Sequence, residues 1–109
     1  MNLQILYIAI YRALECLQKE TGNEEMLSYM ADANPYIFMD RKSADPAVYS
    51  EFNDWVNASD IDVDKNNSYE IAKSYIAEKT DYISYFEAIS VEEWNELIDI
   101  IAEEEPQLK

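Results

Sequence analysis

The sequence predicts an all-α protein, a compact bundle of five or six short helices around a buried N-terminal helix. Apolar residues recur at helical spacing along most of the chain, and several segments open at helix-capping residues. Neither strand alternation nor a glycine-rich hairpin is present. The 109 residues suit a single helical domain, residues 1–109, and 49% of them are hydrophobic, which is enough for a core.

The first helix is predicted over residues 3–20. It ends at Thr21-Gly22, because glycine readily takes the left-handed conformation that closes a helix. Its polar stripe is narrow, so most of its circumference must be covered by neighbours. Either the rest of the chain or a second copy in a homodimer would provide that cover. Cys16 lies on this apolar helix and is expected to be an inert thiol in the core.

The second helix is predicted to begin at its cap Asn23 and to end at Asn34-Pro35, since the residue before proline avoids helical geometry. Its apolar face is predicted to contain Met26, Leu27, Met30 and Ala31. The apolar segment 36–39 that follows is too short for a helix. We expect it to be a loop that packs into the core.

The third helix is predicted to start at Asp45-Pro46, an N-cap followed by proline at the first helical position. Its buried face is predicted to contain Val48, Tyr49, Phe52, Trp55 and Val56. A polar loop over residues 57–66 follows. Asn67 and Glu70 then form an Asn-type capping box that opens a fourth helix reaching about residue 79. Its inward side chains are predicted to be Tyr69, Ala72, Tyr75 and Ile76.

A shorter helical piece is predicted over residues 81–89. Ser90 and Glu93 then form a capping box that opens the last helix, and Pro106 marks its end. The apolar residues that repeat at helical spacing along this last helix are Trp94, Leu97, Ile98 and Ile101.

The composition excludes several kinds of functional site. The chain has no histidine, one cysteine and one glycine. It therefore cannot build a Ser-His-Asp triad, a His-ligated zinc site, an internal disulfide or a glycine-rich phosphate loop. We expect no cofactor, no metal and no enzymatic activity. The N-terminal sequence carries no basic region or cleavage site typical of a signal peptide, which favours a cytoplasmic location.

The charge is concentrated in two segments. The formal net charge is −15, which argues against direct binding to nucleic acid or to an anionic membrane. Residues 43–64 hold six acids, residues 80–108 hold nine, and neither segment has a lysine or arginine. The remaining acids and bases balance. The negative electrostatic field of these two segments favours a basic protein partner.

The last helix carries the sharpest acidic pattern. Glu92, Glu96, Asp99 and Glu103 fall within a stripe about 60° wide on a helical wheel. Like charges four residues apart destabilise a helix by about 0.2–0.5 kcal/mol per pair, so the pattern suggests a binding role. The predicted partner-binding residues are Glu51, Asp54, Asp60, Asp62, Asp64, Tyr82, Tyr85, Glu92, Glu96, Asp99 and Glu103.

In size, acidity, helical build and tyrosines beside acids, the chain resembles the small acidic helical immunity proteins that bacteria pair with nuclease toxins. The resemblance implies an inhibitor whose acidic face occludes a basic, phosphate-binding cleft, with one or two aromatic anchors. A nucleic-acid mimic that inhibits another basic protein would work in the same way. The Tyr-Tyr-Pro recognition segment of the colicin nuclease immunity family is absent, so no residue role is carried over.

Two alternatives stay open. The protein could be a helical regulatory or housekeeping interaction module whose acidity only improves solubility. The segment Glu92-Glu93-Trp94-Asn95-Glu96 also has the E-E-x-x-E spacing of Mg²⁺-dependent all-α nucleotide pyrophosphohydrolases, but the separate E-x-x-D pair, Glu51 and Asp54, lies upstream rather than downstream. The run from Asp60 to Asp64 fails the calcium-loop pattern, because glycine and glutamate are missing at the required positions.

Overall fold

The structure is a computed structural model that describes residues 1–108. Its helices are α1 (Leu3–Thr21), α2 (Glu25–Ala33), α3 (Pro46–Ala58), α4 (Lys65–Lys79), α5 (Ile83–Phe86) and α6 (Val91–Glu104), followed by a 3-10 helix (Pro106–Leu108). Residues 1–108 contain no β-strand. The predicted all-α class and the number of helices are confirmed.

Helix α1 is the centre of the bundle, as predicted, and contacts all five other α-helices. Asn2 caps its start by accepting a hydrogen bond from the Gln4 N–H. Gly22 ends it with a φ of 67°, the left-handed conformation expected for a glycine cap. The interior prediction for Cys16 is wrong, because this side chain is exposed. It faces the seam between α1 and α6, where these two helices leave a groove.

Helix α2 begins at Glu25, and the side chain of Asn23 caps it by accepting hydrogen bonds from the N–H groups of Glu25 and Met26. Met26 and Met30 are buried as predicted. Leu27, at 51% exposure, and Ala31 face solvent instead. The two helices that α2 mainly contacts, α1 and α3, cover a narrower stripe of its surface than the sequence pattern suggested.

The loop over residues 36–39 does not pack into the core, which corrects that prediction. Tyr36, Ile37, Phe38 and Met39 are all exposed, and Met39 is 94% exposed. Backbone and ionic contacts hold the loop at its base. Gln4 donates a hydrogen bond of 2.6 Å to the Asp40 carbonyl, and Arg41 pairs with Glu105 at 2.8 Å. The loop is thus fixed without burying its apolar side chains.

Asp45 caps α3 and Pro46 occupies its first position, as predicted. Phe52 and Val56 are buried, while Val48, Tyr49 and Trp55 are half-buried against the core. Helix α4 begins at Lys65, earlier than predicted. The cap is Asp64, which forms a reciprocal capping box with Asn67. Asn67 is therefore the third helical residue, where its side chain still reaches back to the cap. The four predicted inward residues of α4 are buried: Tyr69, Ala72, Tyr75 and Ile76.

Helix α5 spans only Ile83–Phe86, a single turn within the predicted piece. The Ser90–Glu93 capping box opens α6 as predicted. Trp94, Ile98 and Ile101 of α6 are buried, and Leu97 is partly buried against the core. The indole of Trp94 packs against Tyr69 and Phe86, with ring centroids 6.2 Å and 5.6 Å away, so aromatic contacts join α4, α5 and α6.

Candidate protein-binding surface

The outer face of α6 presents the predicted acidic stripe to solvent. Glu92, Glu96, Asp99 and Glu103 are all exposed. Asp99 is neutralised, because the Lys65 ammonium donates to both of its carboxylate oxygens at 2.8 and 2.9 Å. Within residues 1–108, Glu92, Glu96 and Glu103 form no ion pair. Three exposed carboxylates therefore share this helix face with Asp99 and form no ion pair of their own in the described residues.

The C-terminal end of α6 is less electrostatically strained than its sequence suggests. Glu104 pairs with Arg12 of α1 at 2.9 Å. Glu105 is buried and pairs with Arg41 at 2.8 Å. These two arginines come from distant parts of the chain, so helix periodicity alone could not show them. They neutralise two of the three consecutive acids where the helix dipole disfavours negative charge.

The loop acids Asp60, Asp62 and Asp64 lie beside the start of α4. The ion pair from Lys65 to Asp99 brings this end of α4 against α6, so the loop borders the acidic stripe. The carboxylate of Asp64 accepts the Asn67 N–H and is committed to the helix cap. Asp60 and Asp62 are exposed.

Glu51 and Asp54 occupy a different part of the surface. Glu51 pairs at 3.3 Å with Lys79, the last residue of α4, whereas Lys65, which binds Asp99, is its first. Because an α-helix rises 1.5 Å per residue, these two ion pairs lie about 21 Å apart along α4. Glu51 and Asp54 thus lie apart from the α6 stripe, whereas the loop acids of the same segment border it.

Tyr82 and Tyr85 join α5 to the start of α2. The hydroxyl of Tyr85 accepts a hydrogen bond of 3.0 Å from the Asn23 side chain. The ring of Tyr82 packs against Tyr29 at 6.0 Å, and its hydroxyl donates to the Glu25 carbonyl at 3.4 Å. Desolvation raises the pKa of Tyr82, and Asp81 and Glu25 add to this effect. Both tyrosines are half-buried and contact residues of α2 and of the turn before it.

Two features of this surface were not predicted. The first is the exposed apolar loop 36–39, which reaches the end of α6 because Arg12 contacts both Glu104 and, at 3.4 Å, the Tyr36 hydroxyl. The second is a groove of about 350 Å³ bounded by residues 13–20 of α1 and 93–100 of α6, which we term the α1–α6 groove. Because most of the circumference of α1 is apolar, its sequence does not indicate which side the neighbouring helices leave uncovered.

The acids of the E-E-x-x-E segment have separate surroundings. Glu93 accepts the Ser90 N–H in the capping box, while Glu92 and Glu96 point outward on the stripe. In the part of the chain that the structure describes, no three Asp, Glu or Cys side chains are grouped closely enough to hold a metal ion.

Comparison of the chain with protein-family models, curated proteins and solved structures gives no match. Across residues 1–108, no helix combines the length and the apolar character that crossing a membrane requires.

Proposed function

We propose that the protein is an acidic, cytoplasmic protein-binding module that inhibits a basic partner. It would cover the partner's phosphate-binding surface, either as an immunity-type inhibitor of a toxin or as a nucleic-acid mimic. The observation that carries the proposal is the α6 stripe, where Glu92, Glu96 and Glu103 are exposed without an ion-pair partner in residues 1–108. The resemblance in type to bacterial immunity proteins is consistent with it.

The charge balance of the whole surface supports this proposal. Ion pairs within residues 1–108 involve only four of the 23 acidic residues. With a net charge of −15, the accessible surface of 6131 Å² carries about one net negative charge per 410 Å². Clustered charge of one sign accelerates encounter with an oppositely charged surface by about 10- to 1000-fold at low ionic strength. It also repels nucleic acid that would compete for the same partner.

The structure shows at which acidic residues the charge can be reversed without disturbing the fold. Asp99 is unsuitable, because its change to lysine would place two cations together at Lys65. Glu96 and Glu103 are exposed and make no hydrogen bond or ion pair in the described chain. Lysine at these positions converts two like-charge pairs, with Glu92 and Asp99, into attractive ones. At position 103, in the last turn of α6, lysine also interacts favourably with the helix dipole. Glu96→Lys/Glu103→Lys should therefore fold at least as stably as the natural sequence.

The test is affinity capture from a lysate of the native host at about 50 mM and 500 mM salt, which shortens the screening length from about 14 Å to about 4 Å. We expect a basic protein to bind at low salt, to be released at high salt and to be lost with Glu96→Lys/Glu103→Lys. The captured protein is then purified, and its nucleic-acid binding or nuclease activity should fall stoichiometrically when this chain is added.

The matched control is Asp32→Lys/Glu70→Lys, which makes the same change in net charge at exposed acids outside the predicted surface. Its binding should be retained. Equal loss of binding in both variants would show that only total charge matters, and capture of no basic protein would favour a module whose acidity only improves solubility. A partner that is acidic, or one whose activity is unaffected by binding, would refute the inhibitor proposal.

A further inference from the structure

The α1–α6 groove lies between two antiparallel helices. Arg12 in the middle of α1 pairs with Glu104 at the end of α6. At the other end, Glu20 of α1 shares the groove with Glu93 from the first turn of α6. The groove thus runs along both helices for about seven residues, or about 10 Å. This is the length of two helical turns.

Small side chains open the groove. Ala13 and Cys16 on α1, with Ala88 before α6, stand where larger residues would close the seam. Leu17 and Leu97 form part of the apolar lining, and Ile100 at its edge is 45% exposed. The lining is therefore apolar, and part of it remains accessible to solvent.

All the charged residues that line the groove are acidic. Glu20 stands on the α1 side, and Glu93 and Glu96 stand on the α6 side. No lysine or arginine is among the lining residues. Glu96 also belongs to the exposed stripe of α6, so the groove continues the acidic surface on which the proposed function rests.

We propose that the α1–α6 groove binds a cationic amphipathic helix of the basic partner. Two turns of such a helix would place apolar residues at i, i+3 or i+4, and i+7 in the groove. Lysines or arginines on either side would meet Glu20, Glu93 and Glu96. A second copy of this chain does not fit, because its own charge is −15 and α6 would bring carboxylates against carboxylates. The inference rests on the proposed function and specifies the partner's binding element.

Cys16 provides a built-in reporter, since it is exposed, lines the groove and is the only cysteine. Its reaction rate with a neutral disulfide reagent is measured alone and with saturating synthetic peptides. One peptide is a four-turn amphipathic helix of leucine and lysine, and the other has serine in place of leucine. We expect the Leu/Lys peptide to slow the reaction at least tenfold and the Ser/Lys peptide to slow it less than twofold.

Two matched variants test whether the Leu/Lys peptide binds in the groove. Ile100→Ser removes an exposed apolar side chain at the groove edge, and Ile61→Ser does the same at a 53% exposed position outside its lining. We expect Ile100→Ser to weaken Leu/Lys binding at least fivefold and Ile61→Ser to leave it within twofold. Since both residues are exposed, circular dichroism should show folded protein in both cases.

Four outcomes would overturn the inference. They are no protection of Cys16, equal protection by both peptides, equal effects of the two variants, and a rate that falls with protein concentration when no peptide is present. The last would identify a second copy as the occupant. Salt-sensitive binding of both peptides without protection of Cys16 would leave the acidic inhibitor proposal standing, so the two proposals can fail separately.

Discussion

Ser68→Ala tests the contact that fixes α6 on α4. Ser68 and Trp94 are both fully buried, and the indole N–H of Trp94 donates to the Ser68 hydroxyl at 2.9 Å. The hydroxyl in turn donates to the Lys65 carbonyl at 3.0 Å. Alanine removes one oxygen atom and leaves almost no cavity. The main consequence is that a buried indole N–H loses its acceptor.

The expected cost follows from this geometry. Leaving a buried donor unsatisfied costs about 1–3 kcal/mol. Alanine favours a helix over serine by about 0.5 kcal/mol, which offsets part of this cost. We therefore expect Ser68→Ala to lower the free energy of unfolding by about 0.5–2.5 kcal/mol. For a domain of this size, that is a fall in Tm of roughly 2–20 °C.

Ser74→Ala is the matched control, because Ser74 is exposed on the same helix. Its change to alanine adds only the higher helix propensity of alanine. Urea denaturation followed by circular dichroism should place Ser68→Ala about 2 kcal/mol below Ser74→Ala. In a Trp94→Phe background, which has no indole N–H, the penalty for Ser68→Ala should disappear. Equal stabilities of the two serine variants would refute the claim that this hydrogen bond holds α6 in place.

Two further predictions concern the α4 cap and the tyrosines. Asp64→Ala removes the acceptor for the Asn67 N–H and should lower the free energy of unfolding, measured by urea denaturation, by about 1 kcal/mol. Asp62→Ala should lower it by less than about 0.5 kcal/mol. Equal losses in the two variants would contradict the assigned cap. Burial raises the pKa of Tyr29 to about 12. Because a raised tyrosine pKa favours the neutral form in the folded state, stability should be complete below about pH 10 and fall from there to about pH 12. Circular dichroism and tyrosinate absorbance measured together check this, and unchanged stability across that range would contradict it.

Much of the fold could be predicted because helix boundaries are set by local interactions. Asp45-Pro46, the Ser90–Glu93 capping box and Gly22 act within one turn of chain, and the structure confirms all three. The start of α4 was misplaced because Asp64 and Asn67 are both good caps. Their order in the motif depends on which of the two adopts an extended backbone.

The spacing of apolar residues was less informative about the surface. It shows which apolar side chains share a helix face, but not whether a neighbouring helix covers that face. The side chains of the loop 36–39 are exposed, and the Gln4 side chain fixes the end of the loop through the Asp40 carbonyl. Cys16 is exposed because α1 and α6 pack against each other with small residues between them.

The sequence by itself determined the helical class, the caps and the excess of negative charge, since these depend on residue type and on spacing within a few residues. Only the tertiary structure decided which charges are neutralised. Arg12 meets Glu104, and Lys65 meets Asp99, across 92 and 34 residues of sequence. Ion pairs act over a few ångströms, so they depend on how the helices pack rather than on distance along the chain. That packing leaves Glu92, Glu96 and Glu103 of the α6 stripe without an ion pair in residues 1–108 and opens the groove beside them.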